Sequence, residues 1–294
     1  MRVDARLVMM LPAACVVVGC AMAPAPSDLT VTFLVSDLTI PPVDDAGRFV
    51  GIDIDGLDSA GADTSTCDGR TRDFVSLYDP SEHGIDNVVG RLVNVDLTPL
   101  GSDPSATDLI ARGHLAIALR VSGIDSFTGD DAVRVQLGTA HVPGCDTAVP
   151  ETCAPVFDGA TLSSGQPVVF QSVGPPVSMR IVAGRLQGEL GAVAVPAALL
   201  HAPGEAAVLA LTIRTARIDV VIQEDGLSGS LAGGLSVNDM LELALMLDPT
   251  TDPELGRRAL EFEADLDRSP SDPLLCAALS VGIQLSAVPV TPTD

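Results

Sequence analysis

The sequence predicts a mainly β fold, an antiparallel sandwich or barrel-like body with two short helices near the C-terminus. Three observations lead there. From His114 onward the chain runs as segments with strand character: LAIALRV, AVRVQL, PVVFQ, VSMRIVAGRLQGEL, GAVAV, AVLALTIRTARIDVVI and SGSLAG. Gly, Pro and Asp punctuate them at short intervals, as in sandwiches and barrels. The apolar content is 47% and comes mostly from Val, Leu, Ala and Ile, which suits buried strands and argues against disorder.

At the start, Arg2 and Arg6 precede an apolar stretch from Leu7 to Val18, and small residues lead into Cys20. This is the layout of a secretory signal over residues 1–19, with an apolar part too short to span a bilayer comfortably. Val17-Val18-Gly19-Cys20 resembles the bacterial lipobox. That resemblance implies cleavage before Cys20 and acylation of its sulfur, so the membrane is an expected partner through the lipid. Each buried methylene of such an anchor contributes about 0.8 kcal/mol. Residues 20–28 then form a tether whose Pro/Ala run, Ala21 to Ser27, packs as neither helix nor strand. Ala21 in place of Asp after the cysteine implies an outer-membrane or cell-surface address.

Residues 29–113 read as an Asp/Gly-rich loop region with one strand and one short helix. Leu29 to Ile40 alternates as a strand and Pro41-Pro42 stops it. Asp86 or Asn87 caps a helix bearing Val88, Val89, Leu92 and Val93. Residues 114–294 form the β-rich body, either one domain with 29–113 or a second lobe. Ser236 opens the first late helix, VNDMLELALMLD, with Met240, Leu241, Leu243, Ala244 and Leu247 at core spacing. The second helix runs from Glu254 to Leu266, and LSVGIQLSAVPV closes the chain as a strand.

The formal charge is −23, and removing residues 1–19 with Arg2, Arg6 and Asp4 leaves −24. Such acidity argues against a nucleic-acid partner. The chain has no Lys, which removes P-loop, Schiff-base and pyridoxal chemistry. The lack of Trp, with Tyr78 as the single Tyr, counts against a sugar-stacking surface. Apart from Cys15 and Cys20, four cysteines remain, and an even number in an exported chain reads as disulfides. Cys145 and Cys153 flank a short Pro-containing loop and are expected to pair; Cys67 with Cys276 follows by elimination.

The richest site candidate is Gly51-Ile52-Asp53-Ile54-Asp55-Gly56-Leu57-Asp58, joined by Asp63, Asp68, Asp73 and the later Asp86-Asn87. Carboxylates on alternate residues beside a glycine let oxygens converge on a hard cation, and calcium takes six to eight. The expected ligands are Asp53, Asp55, Asp58, Asp86 and Asn87. The spacing is not an EF-hand, since Gly56 comes too early and no Glu closes a twelve-residue loop. A solvated loop of Asx-turns is the competing reading.

Leu38-Thr39-Ile40-Pro41, the Gly51–Gly56 run and Gly84-Ile85-Asp86-Asn87-Val88-Val89-Gly90 together resemble a group of exported proteins of unknown activity. Many of these are lipoproteins, common in myxobacteria and their relatives, with an LTIP segment followed by GxDLDGDGxxDNxLG. The resemblance implies a shared fold and address and brings no activity with it. Here the compact loop is split by an insertion carrying Cys67, which leaves open whether Asp53 and Asp55 meet Asp86 and Asn87 at one ion.

Catalytic constellations are thin. His83, His114, His141 and His201 are scattered without zinc spacing, and no GxSxG elbow occurs. Three roles follow: a non-enzymatic binding or envelope-structural module with a calcium-stabilised loop, a calcium-dependent extracytoplasmic hydrolase, or a lipid carrier. A polar pocket joining His83, Asp53 and Asp86 would favour the second. A large apolar cavity between the sheets would favour the third. The identity of a protein or small-molecule partner is not legible in the sequence.

Overall fold

The structure is a computed structural model that describes residues 29–41, 43–58, 73–95, 106–146, 149–202, 205–247, 249–268 and 276–293. The expected signal, Cys20 with its tether, Asp63, Cys67 and Asp68 lie outside these residues.

In chain order, β1 (Leu29–Thr39) leads to the two-residue strands β2 (Arg48–Phe49) and β3 (Val75–Ser76). Helices α1 (Val88–Val95) and α2 (Ala106–Ala111) follow, then the hairpin β4 (Ile117–Ile124) and β5 (Gly129–His141). Three short strands come next, β6 (Phe157–Asp158), β7 (Thr161–Leu162) and β8 (Val169–Ser172). The meander β9 (Val177–Val182), β10 (Arg185–Ala202), β11 (Glu205–Gln223) and β12 (Gly226–Ser236) leads into α3 (Val237–Leu247) and α4 (Pro253–Glu263). The chain ends with β13 (Leu266–Arg268) and β14 (Cys276–Val290).

Eight strands, β1-β4-β5-β9-β10-β11-β12-β14, pair antiparallel in that order, and β14 pairs back onto β1 to close the ring. Of the two expected architectures, the chain adopts the barrel. Closure removes the open edges that a sandwich leaves behind. The period-two pattern explains which face turns inward. Phe33, Leu119, Val135, Ile218, Leu231 and Ile283 belong to one continuous buried cluster, and Val88 and Ile110 of α1 and α2 join it. The late helices stand where the sequence placed them. Asp252 caps α4, accepting from the Glu254 and Leu255 N–H groups.

The described part of residues 29–113 holds three strands and two helices, with β2, β3 and α2 added to the expected strand and helix, and three further local expectations change. VSMRIVAGRLQGEL is not one segment: Ala183 and Gly184 take positive φ, 50° and 80°, and fold it into the β9–β10 hairpin. GAVAV is not a separate strand but part of β10. Helix α4 stops at Glu263 rather than Leu266, because the Asp265 N–H donates to Ala278 O at 3.0 Å and Leu266 pairs with Ala278.

Cys145 and Cys153 are bonded to each other. Cys276 is buried on β14 and is disulfide-bonded, and its expected partner Cys67 lies outside the described residues.

Candidate functional site

The described residues between β1 and α1 fold into a shelf on the outer face of β11, β12 and β14. Its seams are small but numerous. β2 pairs parallel with β3, Ile52 bridges Asp86, Phe74 bridges Ile85, and the Phe49 and Phe74 rings sit 4.3 Å apart. The shelf lies directly on sheet backbone because β14 presents a glycine there. A Cβ on Gly282 would come within 2.3 Å of Val50 O and 2.8 Å of the Gly51 Cα.

Asp53, Asp55 and Asp86 converge on this shelf, each offering a carboxylate oxygen, all three atoms within 4.8 Å of one another. The turn chemistry that the Asp/Gly run predicts is what aims the first two. The Gly56 N–H donates to Asp53 Oδ1 at 2.6 Å and the Leu57 N–H to Asp55 Oδ1 at 2.9 Å, with Gly56 at φ 79°. Gly84, at φ 79°, brings the second segment close: a Cβ there would lie 2.6 Å from Leu57 O. Asp86 is 1% exposed, and its Oδ2 accepts from the Ile54 N–H at 2.6 Å. The insertion between the two segments therefore does not keep the aspartates apart.

Burial pushes the Asp86 carboxyl up to about 8, and the charges of Asp265, Asp55 and Asp73 add to the rise. Partial burial also raises Asp53 and Asp55, with Asp73 adding repulsion at both. Arg217 opposes this at Asp53, where its Nη1 also donates to the backbone oxygen at 2.9 Å. Asp265 was not legible as part of the site. It is 6% exposed and pushed up to about 7 by burial, although the Ser280 N–H and Oγ–H both donate to it. Ser280, set among the apolar residues of Cys276–Leu285, was a sequence hint of a polar contact on this face, which Gln284 shares.

Asn87 is a correction. Its amide oxygen accepts from the Gly90 and Gly282 N–H groups at 2.9 and 3.0 Å, and its nitrogen donates to Val50 O and Gly282 O at 2.7 and 3.4 Å. All of its bonding capacity is committed to backbone, so it caps α1 and clamps the shelf and does not ligate an ion. Asp58 is half-buried and not one of the three converging carboxylates. His83 is exposed.

No family model, no curated protein and no solved structure matches the chain.

The three carboxylates suit a hard divalent cation. They supply oxygen donors from two chain segments, and a cation offsets both the desolvation and the mutual repulsion that raise their proton affinity. Beside them lies a polar cleft of about 640 Å³, which sequence reasoning missed, lined by Tyr78, Glu82, Arg185, Gln187, Asp219 and Ser230 among others. Arg185 and Asp219 are ion-paired across β10 and β11 at 2.8 Å. Asp53, Asp86 and His83 are not among the residues that line it.

Proposed function

We propose that the protein is an exported binding or structural module of the cell envelope, anchored by a lipid on Cys20, whose loop shelf is held on the barrel by calcium. One observation carries the calcium part: Asp53, Asp55 and Asp86, from two segments about thirty residues apart, bring oxygens within 4.8 Å of one another. The lipobox-like Val17–Cys20 motif supports the anchor. A ligand that binds only the folded state raises stability by about 2.7 kcal/mol at one hundred times its dissociation constant. Thermal melting with saturating calcium and with chelator tests the reading. The calcium form is expected to melt higher, and coincident curves would overturn it. Replacing Cys20 by Ser is expected to release the protein from the membrane fraction.

The second reading, a calcium-dependent hydrolase, rests only on the presence of a polar cleft beside the shelf, since that cleft is not lined by the His83, Asp53 and Asp86 that would favour it. It requires chelator-sensitive turnover of chromogenic ester or phosphodiester substrates that is lost in Glu82→Gln. Absence of turnover across such a panel leaves the first reading standing.

A further inference from the structure

The barrel interior is not filled. A cavity of about 160 Å³ runs inward from an exposed lip at Val173, Gly174 and Pro175 to a floor that includes Leu119, Val135, Ile218, Leu227 and Ile283. Among the described lining residues Thr139 alone carries a polar side chain, and none is charged. Water gains little in such a space, because it needs two to four polar partners. The size is close to that of engineered apolar cavities of about 150 Å³, which stay dry and take up a benzene ring.

The wall has a gap beside this cavity. β9 pairs with β5 from Val182 to Val177 on one edge, but with β10 it pairs over only Val182, Ile181 and Arg180. Beyond Gln187, β10 pairs with β11 alone among the described residues, and the two continue to Ala202 and Glu205. The cavity is lined from both sides of the gap, by Val173, Pro175 and Val177 on one lip and by Leu190, Ala192 and Ala194 on the other. The ribbon that leaves the gap is apolar in sequence, with Glu205 its single formal charge between Leu190 and Ile213.

We infer that the barrel interior binds the tail of one unbranched acyl chain, admitted through the gap between β9 and β10. This rests on the reading of the protein as a binding module and names its ligand class. The tail enters first, since the described lining offers a polar head no charged group and only the Thr139 hydroxyl. The cavity is smaller than the roughly 300–1,000 Å³ of pockets that enclose whole ligands, so the rest of the chain lies along the gap. The chain's own anchor and a free fatty acid offer the same chemistry.

The test is titration of cis-parinaric acid, a fluorescent unbranched polyene acid, into the full chain carrying Cys20→Ser. Saturable one-to-one binding, displaced by palmitate, is expected. It should weaken at least tenfold in Ala192→Trp and in Val173→Trp, which place an indole in the mouth from opposite lips. Both positions are exposed, and circular dichroism identifies the variants that fold. Non-saturable binding to the unplugged chain, or equal affinity in a folded plug variant, would overturn the inference. Repeating the titration on the acylated protein separates the sources. Exclusion of parinarate there assigns the cavity to the chain's own anchor, and equal binding assigns it to an exogenous chain. Binding is expected to persist in chelator, so a chain that binds parinarate without responding to calcium refutes the calcium reading alone.

Discussion

Along β14, Leu279, Val281, Ile283 and Leu285 belong to the barrel core, whereas Ala278, Ser280 and Gly282 between them underlie the shelf and its carboxylates. One strand thus serves two regions held by different physics. Inside, burial of apolar area is non-directional, so the wall keeps its shape around an unfilled space. Outside, shelf and sheet meet through directed hydrogen bonds and close backbone approach, where one added carbon or one lost acceptor is felt. The interior therefore suits a ligand recognised by shape and apolarity. The exterior suits one recognised by charge.

The sharpest way to separate the two is pH, and it carries the largest expected effect. Asp86 and Asp265 have folded-state values near 8 and 7 against an ordinary 3.8. A raised value means that the folded state holds the proton more tightly. The associated stability is present below about pH 4 and is lost as pH rises through 7 to 8. Calcium-free protein is thus expected to lose several kcal/mol between pH 5 and pH 9, at up to about 1.4 kcal/mol per unit for each group. Denaturant midpoints across that range check it. Asp86→Asn, which keeps an oxygen for the Ile54 N–H, should remove the Asp86 share of the slope, leave that of Asp265, and abolish the calcium response. An unchanged slope in that variant would place the titrating groups elsewhere.

Leu279→Ala should cost about 3 kcal/mol, the usual range for a buried leucine, and leave the calcium response intact. A lost calcium response would break the independence of the two regions. Asn87→Ala should cost about 2 kcal/mol, since it removes a helix cap and strands the Gly282 N–H. Unlike Leu279→Ala, it is expected to weaken calcium binding, read by calorimetry, because the shelf loses its clamp. Gly56→Ala comes last. Nothing lies within 4 Å of an added Cβ, so the cost is the left-handed backbone alone, about 1 kcal/mol, with a small loss of calcium affinity.

Much of the barrel was legible because a strand's period is local. Alternation in Ile117–Ile124 and Gly129–His141 marks them as strands whatever their neighbours do. The hairpin at Ala183-Gly184 was missed because only one of its two left-handed positions is a glycine. At the site, Asp53 and Asp55 were legible through their alternate spacing beside Gly56, and they also make the Asx-turns of the competing reading. Asp265 was not, because its place beside the cluster depends on a strand pairing and not on its neighbours in sequence.

By itself the sequence determined the class of fold, the places of α1, α3 and α4 and the residue types that can meet a hard cation, all of which follow from periodicity, turn chemistry and charge. Tertiary structure alone decided the rest. Closure of β1 on β14 chose the barrel over the sandwich. Packing on Gly282 assigned Asn87 to the backbone and Asp86 to the cluster. The early parting of β9 from β10 left an opening into the core. The first two join segments far apart in the chain, and a local pattern carries no information about which distant segment it will meet.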